Sequence, residues 1–531
     1  MRGQFLEILS THRSALILLI FIIANIPATS FAQPTSQEQA KRAVHSWISL
    51  DRHPLDASFG TNVKDVLTFN DDNAAPLYHI VNMEPQGFVI VAGDDLVEPI
   101  IGFVPKGEYN PSLDNPLGAL VTQDVPARIK RARELEKQGK IKGTDYLADS
   151  HLASAKKKWS LLDRAETLEP IELGLATISD VRVAPLLQSN WNQTTESGGE
   201  QCYNLYTPNN YPSGCVATAF AQIMRFFQFP TAAVGTPSFD IYVDSIWRSE
   251  SLLGGNGTGG AYNWAIMDYG PAVTLADHRI AIGRLTHDTG ATVNMSYTSS
   301  ASGTDTLKIS DALKSTFGYS NAKKGYNSLN NLPTTERNNM VNPNLDAGYP
   351  VAFGITGTYG GHAIVGDGYG YNSSTLYHHL NMGWSGDQNA WYNLPNIDDA
   401  YYGFTSIYKC VYNIFTSGSG EIISGRVVDA AGKPLAGVTV QATRAGEGTY
   451  SDITDSKGIY ALSKIPSAST YQVSASKTGF VFSSQPVSTL TSTDSSTVVG
   501  NKWGIDFISE TFSPFPWSMS LPAITAGAIN N

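Results

Sequence analysis

The sequence predicts a chain of α+β regions that ends in an all-β sandwich, and three observations point there. Residues 215–229 read as a helix that is apolar nearly all round, introduced by Pro212 and Gly214 and stopped before Pro230; such a helix is a central, buried one. The residues around it, from 181 onward, are rich in Gly, Asn, Ser, Thr and Tyr, as loop-rich α+β domains are. Beyond residue 420, short alternating runs (Ile422–Val428, Val438–Ala442, Ile459–Leu462, Tyr471–Ala475) are separated by turns such as Ala431-Gly432-Lys433-Pro434 and Asp455-Ser456-Lys457-Gly458. With 531 residues, 42% apolar and 16% charged, the chain can bury several cores, which excludes wholesale disorder. A net charge of −11 makes a grip on a phosphate backbone unfavourable, so no nucleic-acid partner is expected. Three cysteines form neither a disulfide framework nor a four-cysteine zinc site, and no metal or cofactor is expected.

The first segment has the layout of a secretory signal. Arg2, His12 and Arg13 precede an apolar run from Ala15 to Ile26, and Ser30-Phe31-Ala32 offers small residues for cleavage before Gln33. The run is short for a membrane span, and an uncleaved anchor is the alternative. A secreted product with no membrane span in its mature form is expected.

A compositional break follows. Residues 1–180 hold 41 charged residues, whereas residues 181–531, nearly twice as many, hold 42. In the first region, residues 37–50 read as a helix, and Tyr78–Val81 and Gly87–Ala92 as strands. Residues 126–142 form a charged helical stretch, read as a solvated face or linker, and Lys156-Lys157-Lys158 with 163–180 reads as exposed connector. Ser417-Gly418-Ser419-Gly420 reads as a flexible joint. The expected boundaries are 1–32 signal, 33–180 pro-region, 181–416 central domain, 421–510 sandwich, and 511–531 a tail without a physical account.

The chemistry concentrates at Ser213-Gly214-Cys215-Val216-Ala217-Thr218. A cysteine in the first turn of a helix sits at the positive end of the dipole, where its thiolate, the nucleophilic form, is favoured. Taken singly, Cys215 is equally a small buried core residue. A thiolate nucleophile needs a proton partner. Of the ten histidines, His362 is best placed: Gly360-Gly361 ahead of it leave room for a substrate backbone, and Ala363-Ile364-Val365 after it form a strand. His278 and His287 lie in a helical stretch, and His378 and His379 point to opposite faces of a strand, so these read as structural. Asn381 can accept from the imidazole and orient it, with Trp384 as a shield; without the Cys and His it would be an ordinary turn residue. Gln193, in Trp191-Asn192-Gln193, can donate to an oxyanion together with the backbone N–H of Cys215. The Gly254–Gly260 run lacks the Lys-Ser/Thr of a phosphate loop and reads as a mobile surface loop bordering a cleft.

These residues resemble the streptopain family of secreted bacterial cysteine peptidases, which has a papain-like, two-lobed fold. Gly214 to Met224 matches the family's nucleophile motif G-C-V-A-T-A-x-A-Q-I-M, and Gly360–Gly368 resembles its G-G-H-A-F-V-x-D-G. The resemblance covers about residues 183–414. It implies Cys215 as nucleophile, His362 as base, Asn381 as its orienting partner and Gln193 in the oxyanion hole, with Gly361, Met382 and Trp384 along the substrate cleft. Met382 departs from the family, whose Asn-Trp-Gly-Trp has Trp there, which implies altered rather than absent activity. Gly87–Ala92 and Pro99–Phe103 are similar to the family's inhibitory propeptide, and Ile422 to about Phe482 looks like a carboxypeptidase-regulatory-like sandwich. The implied function is a secreted zymogen of a cysteine endopeptidase, with protein or peptide substrates and its own propeptide as intramolecular inhibitor. Two rivals remain at this stage: a papain-fold amidase acting on cell-wall peptides, and a secreted binding or adhesin protein using the sandwich. Whether Cys202 and Cys410 bridge or are two buried thiols is also left open.

Overall fold

The computed structural model describes residues 33–142, 150–164, 179–328, 330–357, 360–395, 406–446 and 448–510. The expected signal segment 1–32, most of the connector (165–178) and the tail 511–531 lie outside the described residues. No helix among the described residues is long and apolar enough to cross a membrane.

The pro-region opens with helix α1 (Gln37–Leu50), whose start is fixed by a reciprocal cap between Ser36 and Gln39. Its buried Ala40, Ala43, Val44 and Trp47 recur at helical spacing and form the core face. Strands β1 (Asn62–Asn70), β2 (Pro76–Glu84), β3 (Phe88–Ala92) and β4 (Ile100–Val104) then run as an antiparallel meander. Helix α2 (Pro116–Lys142) begins ten residues before the charged stretch seen in the sequence and is not simply solvated. Val125, Ile129 and Ala132 are core residues, and Arg128 is buried in an ion pair with Asp124. Helix α3 (Ser150–Arg164) corrects the connector reading of Lys156–Lys158. Leu152, Ala155, Trp159 and Leu162 supply a buried stripe, while Lys158 reaches Glu98 at 2.8 Å.

The central region carries β5 (Ser179–Val183), α4 (Cys215–Phe227), β6 (Ser238–Val243), β7 (Ile246–Ser251) and α5 (Ala276–Thr292). After these come β8 (Ser296–Tyr297), β9 (Ser302–Gly303), α6 (Lys308–Ser315), β10 (Asn321–Tyr326) and α7 (Thr334–Asp346). The last strands are β11 (Val351–Gly357), β12 (Gly360–Asn372), β13 (Thr375–Asn381), β14 (Ala390–Tyr392) and β15 (Ile407–Phe415). One eleven-stranded sheet runs β1-β2-β3-β4-β14-β13-β12-β11-β15-β10, with β5 paired to β12. The pro-region thus extends the central sheet by edge pairing: Phe103 lies opposite Trp391 and Gly102 opposite Tyr392. An aromatic cluster closes the same junction, with Phe103 5.1 Å from Trp47 and 5.4 Å from Tyr377 between ring centroids. A second core wraps α4, α5 and α6, drawing on Phe220, Ile223, Met224, Leu285 and Leu313, and forms a helical lobe beside the sheet.

The C-terminal sandwich packs β16 (Glu421–Val428), β19 (Ile459–Ile465) and β22 (Phe507–Ile508) against β17 (Thr439–Arg444), β18 (Gly448–Ile453), β20 (Thr470–Ser476) and β21 (Gln485–Ser488). Val427, Val440, Tyr460 and Val473 fill its core. The joint at Ser417–Gly420 is short and exposed, but it does not leave the sandwich swinging. Buried Asn413 exchanges amide hydrogen bonds with Asn501 of the sandwich at 2.9 and 3.1 Å. Local composition signalled a linker; long-range packing overrides it.

Candidate active site

Gly214 adopts φ +87°, and a Cβ there would lie 2.8 Å from the Ser302 carbonyl oxygen, so only glycine delivers the chain into α4 at this point. Cys215 is therefore the first residue of a helix whose residues 215–225 are all buried. Its Sγ accepts from the N–H of Ala363 at 3.3 Å, which puts the sulfur against the start of β12 and beside His362. Burial alone would push the Cys215 thiol up. Hydrogen bonding and attraction from His362, helped by the N–H groups of Ala363 and Val216, outweigh burial and bring it below its ordinary value. Reciprocally, burial opposes the charged imidazole, but Cys215, Leu113 and Asp114 hold the His362 pKa above the ordinary value. The imidazole Nδ1 is buried without a well-aligned hydrogen bond, so the thiol and ring are close but not yet squared to one another.

The other ring nitrogen is taken. Nε2 of His362 donates to the carbonyl oxygen of Leu113 at 2.8 Å. A carbonyl only accepts, so Nε2 carries a proton, and in the neutral ring Nδ1 is the basic nitrogen facing the sulfur. Leu113 lies between β4 and α2, so the first region contributes a backbone group to the His362 ring. No residue pattern signals this contact, because it is made by a main-chain atom in an irregular turn.

Asn381 does not touch His362 in this form. Its Nδ2 donates to Ser189 O at 2.9 Å, and its Oδ1 accepts from Gly383 N at 3.0 Å and Gln222 Nε2 at 3.2 Å. The expected orienting bond is replaced by the one to Leu113. Gln222, fully buried on α4, was missed; a lone amide within an apolar helix is the signal that could have found it. Its Oε1 accepts from Trp191 N at 3.2 Å, so Gln222 joins the Asn381 strand end to the loop carrying Gln193. Gln193 is anchored through its carbonyl, which accepts from Ser213 N at 2.8 Å, two residues before Cys215. Its side-chain amide makes no hydrogen bond among the described residues.

Gly361 is exposed at the head of β12. Met382 is 1% exposed and belongs to the core, so it backs the site and does not line an open cleft in this form. The Trp384 loop is bracketed. On one side Ser385 N donates to Trp191 O at 3.0 Å and Asn192 donates to Ser385 Oγ at 3.0 Å. On the other, Asp387 pairs with Lys106 of the pro-region at 2.9 Å.

Three other histidines, His378, His379 and His287, have structural surroundings. Burial, with Arg337 nearby, carries His378 down to about 3, while His379 meets Asp367 at 2.6 Å on the opposite face. His287 lies between Asp288 and Glu250; burial opposes its charge, but those carboxylates outweigh it and hold it up to about 9. Asp288 also accepts from Leu253 N and Gly254 N at 2.8 Å each, so the glycine run is a tethered turn and not a mobile loop. Cys202 and Cys410 are unbridged, buried in separate cores. Among the described residues no group of acidic, His or Cys side chains could hold a metal ion.

Comparison with known proteins gives three family matches: Spi protease inhibitor over residues 32–123, Peptidase C10 family over 191–392, and carboxypeptidase regulatory-like domain over 422–500. Thiol protease/hemagglutinin PrtT of Porphyromonas gingivalis is 25% identical over 370 residues, 68% of this chain but only 38% of that protein's length. Streptopain of Streptococcus pyogenes is 24% identical over 332 residues, 61% of this chain and 75% of that one. Among solved structures, a fragment of Prevotella intermedia prointerpain A aligns at 19% identity with a TM-score of 0.44, covering 66% of this chain and 99% of that one. Residues 191–392 thus match the Peptidase C10 family, behind a stretch that matches a Spi protease inhibitor and ahead of one that matches a carboxypeptidase regulatory-like domain.

Proposed function

We propose that the chain is the secreted zymogen of a cysteine endopeptidase acting on proteins, held latent by its own pro-region. The observation that carries this reading is a pro-region contact on the histidine itself. The Leu113 carbonyl occupies Nε2 of His362 while Cys215 waits against the same ring. Cutting the chain in the connector ahead of β5 lets the pro-region leave, frees Nε2 for Asn381, and lets the ring square up to the sulfur. Residues 1–32 act as the export signal.

In the processed enzyme, Cys215 Sγ attacks the scissile carbonyl carbon, and the N–H of Cys215 and the amide of Gln193 receive the oxyanion. The C–N bond breaks as His362 passes its proton to the leaving amine. Water then attacks the thioester, His362 takes its proton, and the S–C bond breaks to release the acid and restore the thiol.

Processed protein is incubated with casein, with and without iodoacetamide, beside a Cys215→Ala control. Casein cleavage that alkylation and Cys215→Ala both abolish supports the reading. Turnover of cell-wall peptides without casein cleavage moves the chain to the amidase class. Activity that survives in Cys215→Ala removes the mechanism.

A further inference from the structure

The Arg426 guanidinium projects from β16 of the sandwich into the peptidase domain. It is 8% exposed and is planted by the Lys457 carbonyl, which accepts from Nε at 2.9 Å. Its two terminal nitrogens grip both oxygens of Asp180, at 2.6 and 3.1 Å, and Arg182 adds a third bond at 2.8 Å. A bidentate guanidinium–carboxylate pair out of bulk water is among the stronger and more directional polar contacts a protein makes.

Asp180 stands at a boundary. The residue before it, Ser179, is shared: its hydroxyl donates to Asp51 and accepts from Leu55 N at 2.8 Å on the pro-region side, and it also accepts from Asn372 Nδ2 of β12 at 3.1 Å. β5 pairs with β12, Asp180 opposite Tyr371 and Val183 opposite Tyr369, on the strand that carries His362. Tyr369 is in turn held from the sandwich side, its hydroxyl accepting from Trp503 Nε1 at 3.3 Å and donating to Asp346, which also accepts from Ser424 at 2.7 Å. The sandwich also covers the free edge of β10, the last strand of the large sheet. Ser495 N donates to Lys324 O at 2.9 Å, and Tyr326 N donates to Ser496 O at 3.0 Å.

We infer that the C-terminal sandwich is the clamp on the first strand of the peptidase domain. Through Arg426 it holds Asp180, so that β5 stays with the enzyme when the pro-region is cut away. The sandwich is then a working part of maturation, setting how far the new N-terminus can be trimmed, and not a spacer. The maturation half of this statement rests on the zymogen reading above; the clamp itself does not.

The test separates the two. Full-length Cys215→Ala protein, which cannot cut itself, is digested with limiting thermolysin, and the N-terminus of the surviving fragment is read by mass spectrometry. A fragment that starts at or before Ser179 and includes the sandwich is expected. In Arg426→Gln on the same background, loss of residues 179–183 should be about 10-fold faster, with the surviving fragment starting beyond Val183. Asp180→Asn, which leaves the sandwich untouched, should behave in the same way and decides the matter if Arg426→Gln does not fold. A first cut that already removes β5 from the parent, or trimming unchanged in the variants, overturns the proposal. Failure of the wild-type chain to cleave casein would not alter these digests.

Discussion

Removing the Arg128 side chain should unlock the pro-region. Arg128 is 7% exposed and pairs with fully buried Asp124 one helical turn away, whose second oxygen also accepts from Tyr392 at 2.7 Å. The same guanidinium crosses to the peptidase domain, donating to Asn393 Oδ1 at 2.8 Å and to Asn393 O at 2.5 Å. In Arg128→Ala the Asp124 carboxylate remains buried without its cation, a loss of about 3–5 kcal/mol. Part of this falls on α2 itself, since Asp124 and Arg128 share that helix. The two charged bonds to Asn393 span the junction, and about 3 kcal/mol assigned to them raises the detached fraction by roughly 100-fold. The assay is the initial rate of fluorogenic peptide hydrolysis by intact zymogen, together with the lag before self-processing. Arg128→Ala should show a basal rate raised toward 100-fold and a shortened lag. An unchanged basal rate and lag would refute the argument that this pair latches the pro-region.

Three further outcomes follow from the site and its surroundings. Gln193→Ala should cut kcat by about 10²-fold or more while leaving the melting temperature unchanged, because its side chain holds nothing in the resting structure; wild-type kcat removes it from the oxyanion hole. Burial pushes the Cys202 thiol up to about 12 and raises Cys410 as well, so native processed protein should take up one equivalent of iodoacetamide, at Cys215; two or three equivalents contradict the burial of the others. The folded His287 pKa of about 9 lies above its unfolded value of 6.5, so its contribution is complete below pH 6.5 and is lost as pH rises through about 9. Roughly 3 kcal/mol should disappear over that window in urea titrations, and His287→Gln should flatten the profile.

Much of the architecture was legible because local signals agreed with global packing. The Ser36–Gln39 cap and the spacing of Ala40, Ala43, Val44 and Trp47 place α1 within the limits read from sequence. The glycine before Cys215 and the apolar run after it place α4 likewise. What was hidden is long-range. The lysines at 156–158 suggested exposed connector, yet Leu152, Trp159 and Leu162 bury the face between them. Ser417–Gly420 reads as a joint, and no local pattern shows that Asn413 and Asn501 will meet 88 residues apart. At the site, the chemistry-bearing side chains could be nominated, but not the pro-region carbonyl on His362 or the diversion of Asn381 to Ser189 and Gln222. Those depend on the resting form of the whole chain.

The pairing of Cys215 with His362 is best tested by following the rate of iodoacetamide alkylation of Cys215 against pH in processed protein, for the wild type and His362→Ala. The opposing shifts, Cys215 down and His362 up, both favour the thiolate–imidazolium form of the pair. The wild-type reactivity should therefore rise at a pH below the ordinary thiol value of 9.0, and His362→Ala should move that rise upward. Identical profiles for the two proteins would contradict the account.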